Sequence, residues 1–294
     1  MIRVLACLCL SSGVSLGAAS PTARTGVWSS LPDELATVLA SKAGAYRARA
    51  TSFVCKERVR EAEYAGKEAD SERIREFEYS LVRDAAAPHG LRAVRTRLED
   101  GPQGREQTLD LEVPEPYVWT ALFESGVRST FRFQVGEWHT TPFKLAIPVH
   151  WLSSAPVIGG QRVTEWSGTA EIEWRTGNLV RVVARPSLQD ERLWAQLQRY
   201  LTAFRFLGLS AARPPIGLEL TVDFGIERDQ FTFPQRVELM IFQQTHRDER
   251  QVVSRRVIEY SDYRFFETET SEELVPPLTY TPPPPSGQEQ GPDS

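Results

Sequence analysis

The chain is poor in most of the residues that announce a chemistry. Among 294 residues there are three cysteines, four histidines, two methionines and only four lysines. Two of the cysteines, Cys7 and Cys9, fall within the first ten positions. Once that segment is removed Cys55 stands alone, and no internal disulfide is expected. No stretch approaches the 20 or so apolar residues of a spanning helix, so no transmembrane anchor is expected. The net charge of −5 leaves no basic surplus to neutralise phosphates, which argues against a nucleic-acid partner. There is no H-E-x-x-H, no C-x-x-C, no Walker loop and no G-x-G-x-x-G, so neither a metal nor a cofactor is expected. Gly13-Val14-Ser15-Leu16-Gly17 spells G-x-S-x-G but lacks the strand–turn–helix setting of a nucleophile elbow.

What is present is apolar mass, at 41% of residues with 10% aromatic, enough for a sizeable core. The amino terminus reads as an export signal over residues 1–19. Arg3 is its positive end, Val4 to Leu16 its apolar stretch, and Gly17-Ala18-Ala19 the small residues for cleavage between Ala19 and Ser20. Removal of Arg3 takes the net charge from −5 to −6. Residues 20–30 form a small, polar lead-in. The tail over 268–294, acidic and then Pro-rich with Pro282 to Pro285 consecutive, is expected to be disordered. Between them, residues 31–267 show no repeat and no linker, and read as one β-rich domain.

Ser30-Leu31-Pro32-Asp33 carries a helix start, with Ser30 as cap and Pro32 in the first turn. Leu31, Leu35, Val38, Leu39 and Tyr46 then recur at helical spacing. The period next drops to two. Phe53, Cys55, Glu57 and Val59 alternate with Val54, Lys56, Arg58 and Arg60, a half-buried strand. Further strands are expected around Ile74–Leu81, Leu91–Leu98, Val127–Trp138 and Arg162–Trp174. Thr176-Gly177-Asn178 turns the last of these back into Leu179–Val182. Glu115–Glu124 suggests a short helix, and Leu188–Phe206 a longer one with Leu193, Leu197, Tyr200, Leu201 and Phe204 on its apolar side. Ile216 to Glu227 alternates strictly, the mark of an antiparallel strand with one dry face. Phe233–His246 and Val252–Phe266 complete the set. The fold class is mainly β: a curved antiparallel sheet or unclosed barrel of about eight to eleven strands, with two or three covering helices.

No nucleophile–base pair is legible. His89, His139, His150 and His246 have no carboxylate neighbour at metal-ligand spacing. Cys55 alternates with Phe53 and reads as a core thiol. Glu171 and Glu173 belong to the wet face of their strand. Glu57 is the exception, an acid on the face of Phe53, Cys55 and Val59. Buried there, it needs a cationic partner or carries a raised pKa.

Several segments resemble a group of uncharacterised exported bacterial proteins. They are Phe53-Val54-Cys55-Lys56-Glu57 after an opening helix, Gly168 to Gly177 running into Leu179–Val182, Val222-Asp223-Phe224-Gly225, Phe233-Pro234, and Glu259 to Phe266. The hairpin pattern, an acid-x-x-Thr-Gly turn returning with an arginine, is similar to that of lipoprotein-carrier proteins. That resemblance is architectural and implies a curved sheet with helices over its concave side, an apolar cavity for acyl chains, and no catalytic residue to carry over. The helix after Pro186 departs from the carrier pattern and leaves open whether the cavity is filled. The expectation is therefore an exported, non-enzymatic protein that holds a lipid or acyl chain, with Trp119, Phe123, Trp151, Leu193, Leu197 and Phe204 as its lining. The alternatives are an envelope protein–protein interaction or sensor module with a filled core and, behind it, an enzyme built around Glu57 and a histidine.

Overall fold

A computed structural model describes residues 31–49, 52–65, 68–83, 91–98, 115–128, 131–136, 139–140, 145–153, 157–158, 161–162, 166–187, 193, 195, 197, 216–244 and 250–266. The segments read as signal, lead-in and tail lie outside this set, as do His89, His246 and Phe204. The opening helix is α1 (Asp33–Arg49). Leu31, Leu35, Leu39 and Tyr46 are buried along one side, the stripe expected from the spacing. The helix starts two places later than read. Pro32 precedes Asp33, and its carbonyl accepts the Ala36 N–H at 2.8 Å, so Pro32 sits at the cap and not in the first turn.

The strands are β1 (Phe53–Ala65), β2 (Glu68–Arg83), β3 (Leu91–Arg97), β4 (Phe131–Val135), β5 (His139–Thr140), β6 (Leu145–Ser153), β7 (Val157–Ile158), β8 (Gln161–Arg162), β9 (Trp166–Glu173), β10 (Leu179–Pro186), β11 (Ile216–Arg228), β12 (Phe231–Gln244) and β13 (Arg250–Phe265). Eleven of them form one antiparallel sheet in the order β3-β2-β1-β13-β12-β11-β10-β9-β6-β4, with β5 also beside β6; β7 and β8 make a separate ribbon. The first and last long strands, β1 and β13, pair with each other inside the sheet, while β3 and β4 stand at opposite ends, so the sheet stays open.

Register shifts in β1, β11, β12 and β13 bend these long strands and curve the sheet. The β13 irregularity has a sequence consequence. Asp262 adopts φ 54° where the β1 register slips, and this extra residue lets Tyr260, Tyr263 and Phe265 all turn toward the core. At the β9–β10 turn Gly177 adopts φ 69°, a conformation open to glycine, and its N–H returns to the Glu173 carbonyl at 2.9 Å. This is the hairpin read from Thr176-Gly177-Asn178.

The strict alternation in β11 places Leu218, Leu220, Val222 and Phe224 in the core. The opposite face carries cross-strand ion pairs such as Lys56–Glu76, Arg185–Glu219 and Arg255–Glu238. On that outer face Phe242 lies over Gly217, where an added Cβ would meet the ring at 2.1 Å.

Two readings needed revision. Among the described residues of Val127–Trp138 only Phe131–Val135 is strand, and Ser125–Arg128 is a helical turn, because apolar alternation begins only at Phe131. Strand β6 was not anticipated, since Pro148 removes a ladder N–H. It is tolerated because β5 pairs only up to Ala146 and β4 begins at Val149, leaving no strand among the described residues opposite Pro148 on that side.

The inner face is closed by α1, by the 3₁₀ helix Pro116–Phe123 where a short helix was expected, and by Leu193 and Leu197. Of the helix expected over 188–206, only residues 193, 195 and 197 are described, all helical. No helix among the described residues is long and apolar enough to cross a membrane.

Candidate functional site

Two polar groupings interrupt this apolar interior, and both border the 3₁₀ helix. The first is built on Glu57. Because β1 alternates, its carboxylate follows Phe53 and Cys55 into the core, where the residue is 1% exposed. In the register Glu57 faces Tyr260 of β13 and Phe77 of β2, while Tyr79 pairs Arg95 on the edge strand β3. Arg95 reaches across Tyr79, its guanidinium 4.8 Å from the ring centroid. Its Nε donates to both Glu57 oxygens, at 3.0 and 2.9 Å. Nη1 and Nη2 donate to the two Glu115 oxygens at 2.8 and 3.0 Å, just ahead of the 3₁₀ helix. The Tyr79 hydroxyl adds a bond to Glu115 at 3.3 Å.

One guanidinium thus serves two carboxylates. Burial pushes the Glu57 carboxyl above its usual range, and Arg95 draws it back. Burial would lower Arg95, but the Glu115 hydrogen bonds and the charges of both acids hold it above its ordinary value. Burial, with the Glu57 charge beside it, pushes the Cys55 thiol up to about 12, which makes it a poor nucleophile. The Tyr260 hydroxyl, also buried, has no hydrogen-bond partner among the described residues. Further along the same face Glu61 pairs with Arg75 and Arg256. This is the chemistry of a tethered ion cluster. Among the described residues no three His, Cys, Asp or Glu side chains gather as a metal site would require.

The second grouping lies at the other end of the 3₁₀ helix. A cavity of about 30 Å³ sits between α1, that helix, the β9–β10 turn and the start of β12. Leu39, Ala43, Phe123 and Leu179 give it apolar walls, and Lys42, Tyr46, Thr120, Asn178 and Thr232 give it polar groups. Lys42 is 7% exposed. Its ammonium donates to the Gln230 carbonyl and lies 4.8 Å from the Phe231 ring centroid. Burial lowers it from 10.5 to about 8, against a rise from the nearby Glu173 charge. Thr120 and Thr232 spend their hydroxyl protons on the Tyr117 and Leu179 carbonyls.

Of the lining residues expected from sequence, Trp119, Phe123, Leu193 and Leu197 are buried in one continuous core. Trp119 meets Trp166 edge-on at 5.5 Å, and Phe123 packs on Phe133 at 5.7 Å. Phe123 alone of these borders the cavity. The side chain of Trp151 and all of Phe204 lie outside the described residues, as do the side chains of His139 and His150. Lys42 and Arg95 escaped the sequence reading. Lys42 had a signal: it stands three residues after Leu39 and four before Tyr46, inside the apolar stripe of α1. Arg95 had none, because its partners come from elements 20 and 38 residues away.

No family model and no curated protein matches the chain. Among solved structures it is similar to a DUF1329 family protein of Desulfovibrio piger, with 9% identity, a TM-score of 0.40, and coverage of 83% of this chain and 96% of that one. It is also similar to a domain named for outer membrane lipoprotein sorting from Vibrio parahaemolyticus, with 9% identity, a TM-score of 0.35, and coverage of 79% and 94%. The second is of the kind that the sequence resembles. Identity this low says nothing of ligand or activity.

Proposed function

We propose that the protein is an exported, non-enzymatic binding protein that holds an apolar ligand, a lipid or acyl chain, against the inner face of its curved sheet. The observation that carries this reading is how that face is covered. Among the described residues its apolar surface is closed by α1, a 3₁₀ helix and the segment bearing Leu193 and Leu197, and not by a second sheet. Such a cover contributes no strand to the ladders, so it can move aside without breaking sheet hydrogen bonds. The seam between cover and sheet already holds a cavity. Its volume suits a water or two and not a lipid, so binding requires the cover to shift. Trp119, Phe123, Leu193 and Leu197 would line the opened space from the cover side, with Trp151 and Phe204 completing the set. Apolar burial at about 25 cal/mol per Å² would supply the affinity.

Native mass spectrometry of protein exported by its own signal, cleaved after Ala19 and purified without detergent, tests the reading. An added mass released as a lipid is the expected result. A bare polypeptide that takes up neither fatty acid nor phospholipid would overturn it.

A second reading, docking of an envelope protein, draws on the open edge. Ile74, Val94 and Leu98 are exposed near β3, which among the described residues has no strand on its far side. Charges at Ile74 and Leu98 that abolish capture of a partner while sparing lipid uptake would favour it.

A further inference from the structure

We infer that Lys42 and Tyr46 form a head-group site for the carboxylate of a fatty acid, whose chain runs along the seam between α1 and the sheet. This rests on the binding reading above and names its ligand class. An ammonium has three N–H donors. Lys42 gives one to the Gln230 carbonyl and turns toward the Phe231 ring, and among the described residues no carboxylate lies within salt-bridge distance of it. Glu173 acts on Lys42 only from beyond salt-bridge distance, so the buried cation lacks a contacting opposite charge, which is costly, and the place for one is beside the cavity.

One helical turn on, Tyr46 is 5% exposed, and its hydroxyl has no partner among the described residues. Both side chains line the cavity, whose other walls are Leu39, Ala43, Phe123 and Leu179. Donors gathered at one place and hydrocarbon elsewhere describe an amphiphile. The cation sets its sign as an anion, and the two unused donor groups ask for acceptor oxygens. Room for a water or two admits the two oxygens of a carboxylate and not a phosphodiester with its substituents. Lys42 and Tyr46 sit on α1 and would hold the head group, while the apolar walls lead the chain toward Phe123 and the 3₁₀ helix.

Titration calorimetry of the lipid-stripped mature protein with sodium oleate and with oleyl alcohol, which has the same chain without the charge, tests the assignment. The intact protein should bind oleate about tenfold tighter than the alcohol. Lys42→Met should lose that preference by weakening oleate alone. Tyr46→Phe, which removes only the hydroxyl, should cost oleate about threefold and leave the alcohol unchanged. Thermal melts of both variants confirm that they are folded. Equal affinity of the intact protein for the two ligands, or a preference that survives in Lys42→Met, would overturn the head-group site while leaving apolar binding in place. Binding of neither ligand would overturn both.

Discussion

Arg95 offers the sharpest test of how the interior is held. Replacing it with glutamine leaves Glu57 buried with no cation in hydrogen-bond reach, whereas Glu57→Gln leaves Arg95 still bonded twice to Glu115. The two halves of one ion pair should therefore be unequal. Removing one partner of a buried pair costs about 3–5 kcal/mol. The Arg95 side chain is 34% exposed and that of Glu57 only 2%, so the penalty arises at the Glu57 end and belongs near the lower figure, about 3 kcal/mol. Glu57→Gln keeps an acceptor for Arg95 Nε and should cost about 1 kcal/mol. The pH dependence follows from the carboxyl that remains. Without Arg95 the folded pKa of Glu57 lies well above its unfolded value near 4.3. The folded state then binds the extra proton, and stability is lost as pH rises through that folded pKa. Urea denaturation at pH 5 and pH 7.5 measures both effects. The Arg95→Gln deficit should be larger at pH 7.5 than at pH 5. The double variant Glu57→Met, Arg95→Met should recover much of the loss, because it removes the buried carboxylate with its cation and leaves only Glu115, which is part-exposed and still bonded by Tyr79. Equal costs for the two single variants, or an Arg95→Gln deficit independent of pH, would refute the one-cation, two-carboxylate account.

Lys42 predicts the opposite slope. Its folded pKa of about 8 lies below the unfolded value near 10.4, so the unfolded state holds the extra proton and stability rises with pH over that window, by at most about 3 kcal/mol. Lys42→Met should lack the rise, and comparing the two proteins between pH 7.5 and 9.5 isolates Lys42 from the tyrosines; parallel curves would contradict the assignment. Gly217→Ala should destabilise by about 1–3 kcal/mol, since the new methyl meets the Phe242 ring, with recovery in a Phe242→Leu background. A neutral Gly217→Ala in thermal melts would count against that packing. Cys55, buried with its thiol raised to about 12, should react with an aromatic disulfide reagent only as fast as the protein opens. Rapid labelling of native protein at pH 8 would show the site to be accessible.

The sheet was readable wherever one face is dry and the other wet. The alternation of β11, the two-to-one phase of β1 and the Thr176-Gly177-Asn178 turn all express local chemistry, and each element formed where that chemistry placed it. Reading failed where the deciding partner was distant. Pro148 argues against a strand unless one knows that the β4 and β5 ladders break opposite it. Glu57 could be picked out as an acid on an apolar face, yet nothing near it in sequence identified Arg95 among 30 arginines. Lys42 is the instructive omission. A lysine three residues after one stripe leucine and four before a stripe tyrosine is as visible as Glu57, but long lysine side chains so often reach solvent that the position draws no notice.

These two buried charges bear on the same covering element from opposite ends. Glu115, immediately before the 3₁₀ helix, is tied to the sheet through Arg95, and Glu124, immediately after it, is tied to α1 through Arg47 at 3.1 Å. Thr120 and Phe123 between them border the Lys42 cavity. Lifting the 3₁₀ helix off the sheet would break the Arg95–Glu115 bonds yet leave Arg95 on Glu57, so the edge strand keeps its buried counter-charge while the cover moves. A core closed only by apolar contacts would have no such ordered point of release. On the proposed binding reading, the arginine shared between a sheet carboxylate and a cover carboxylate would separate the stability of the sheet from the position of what lies over it.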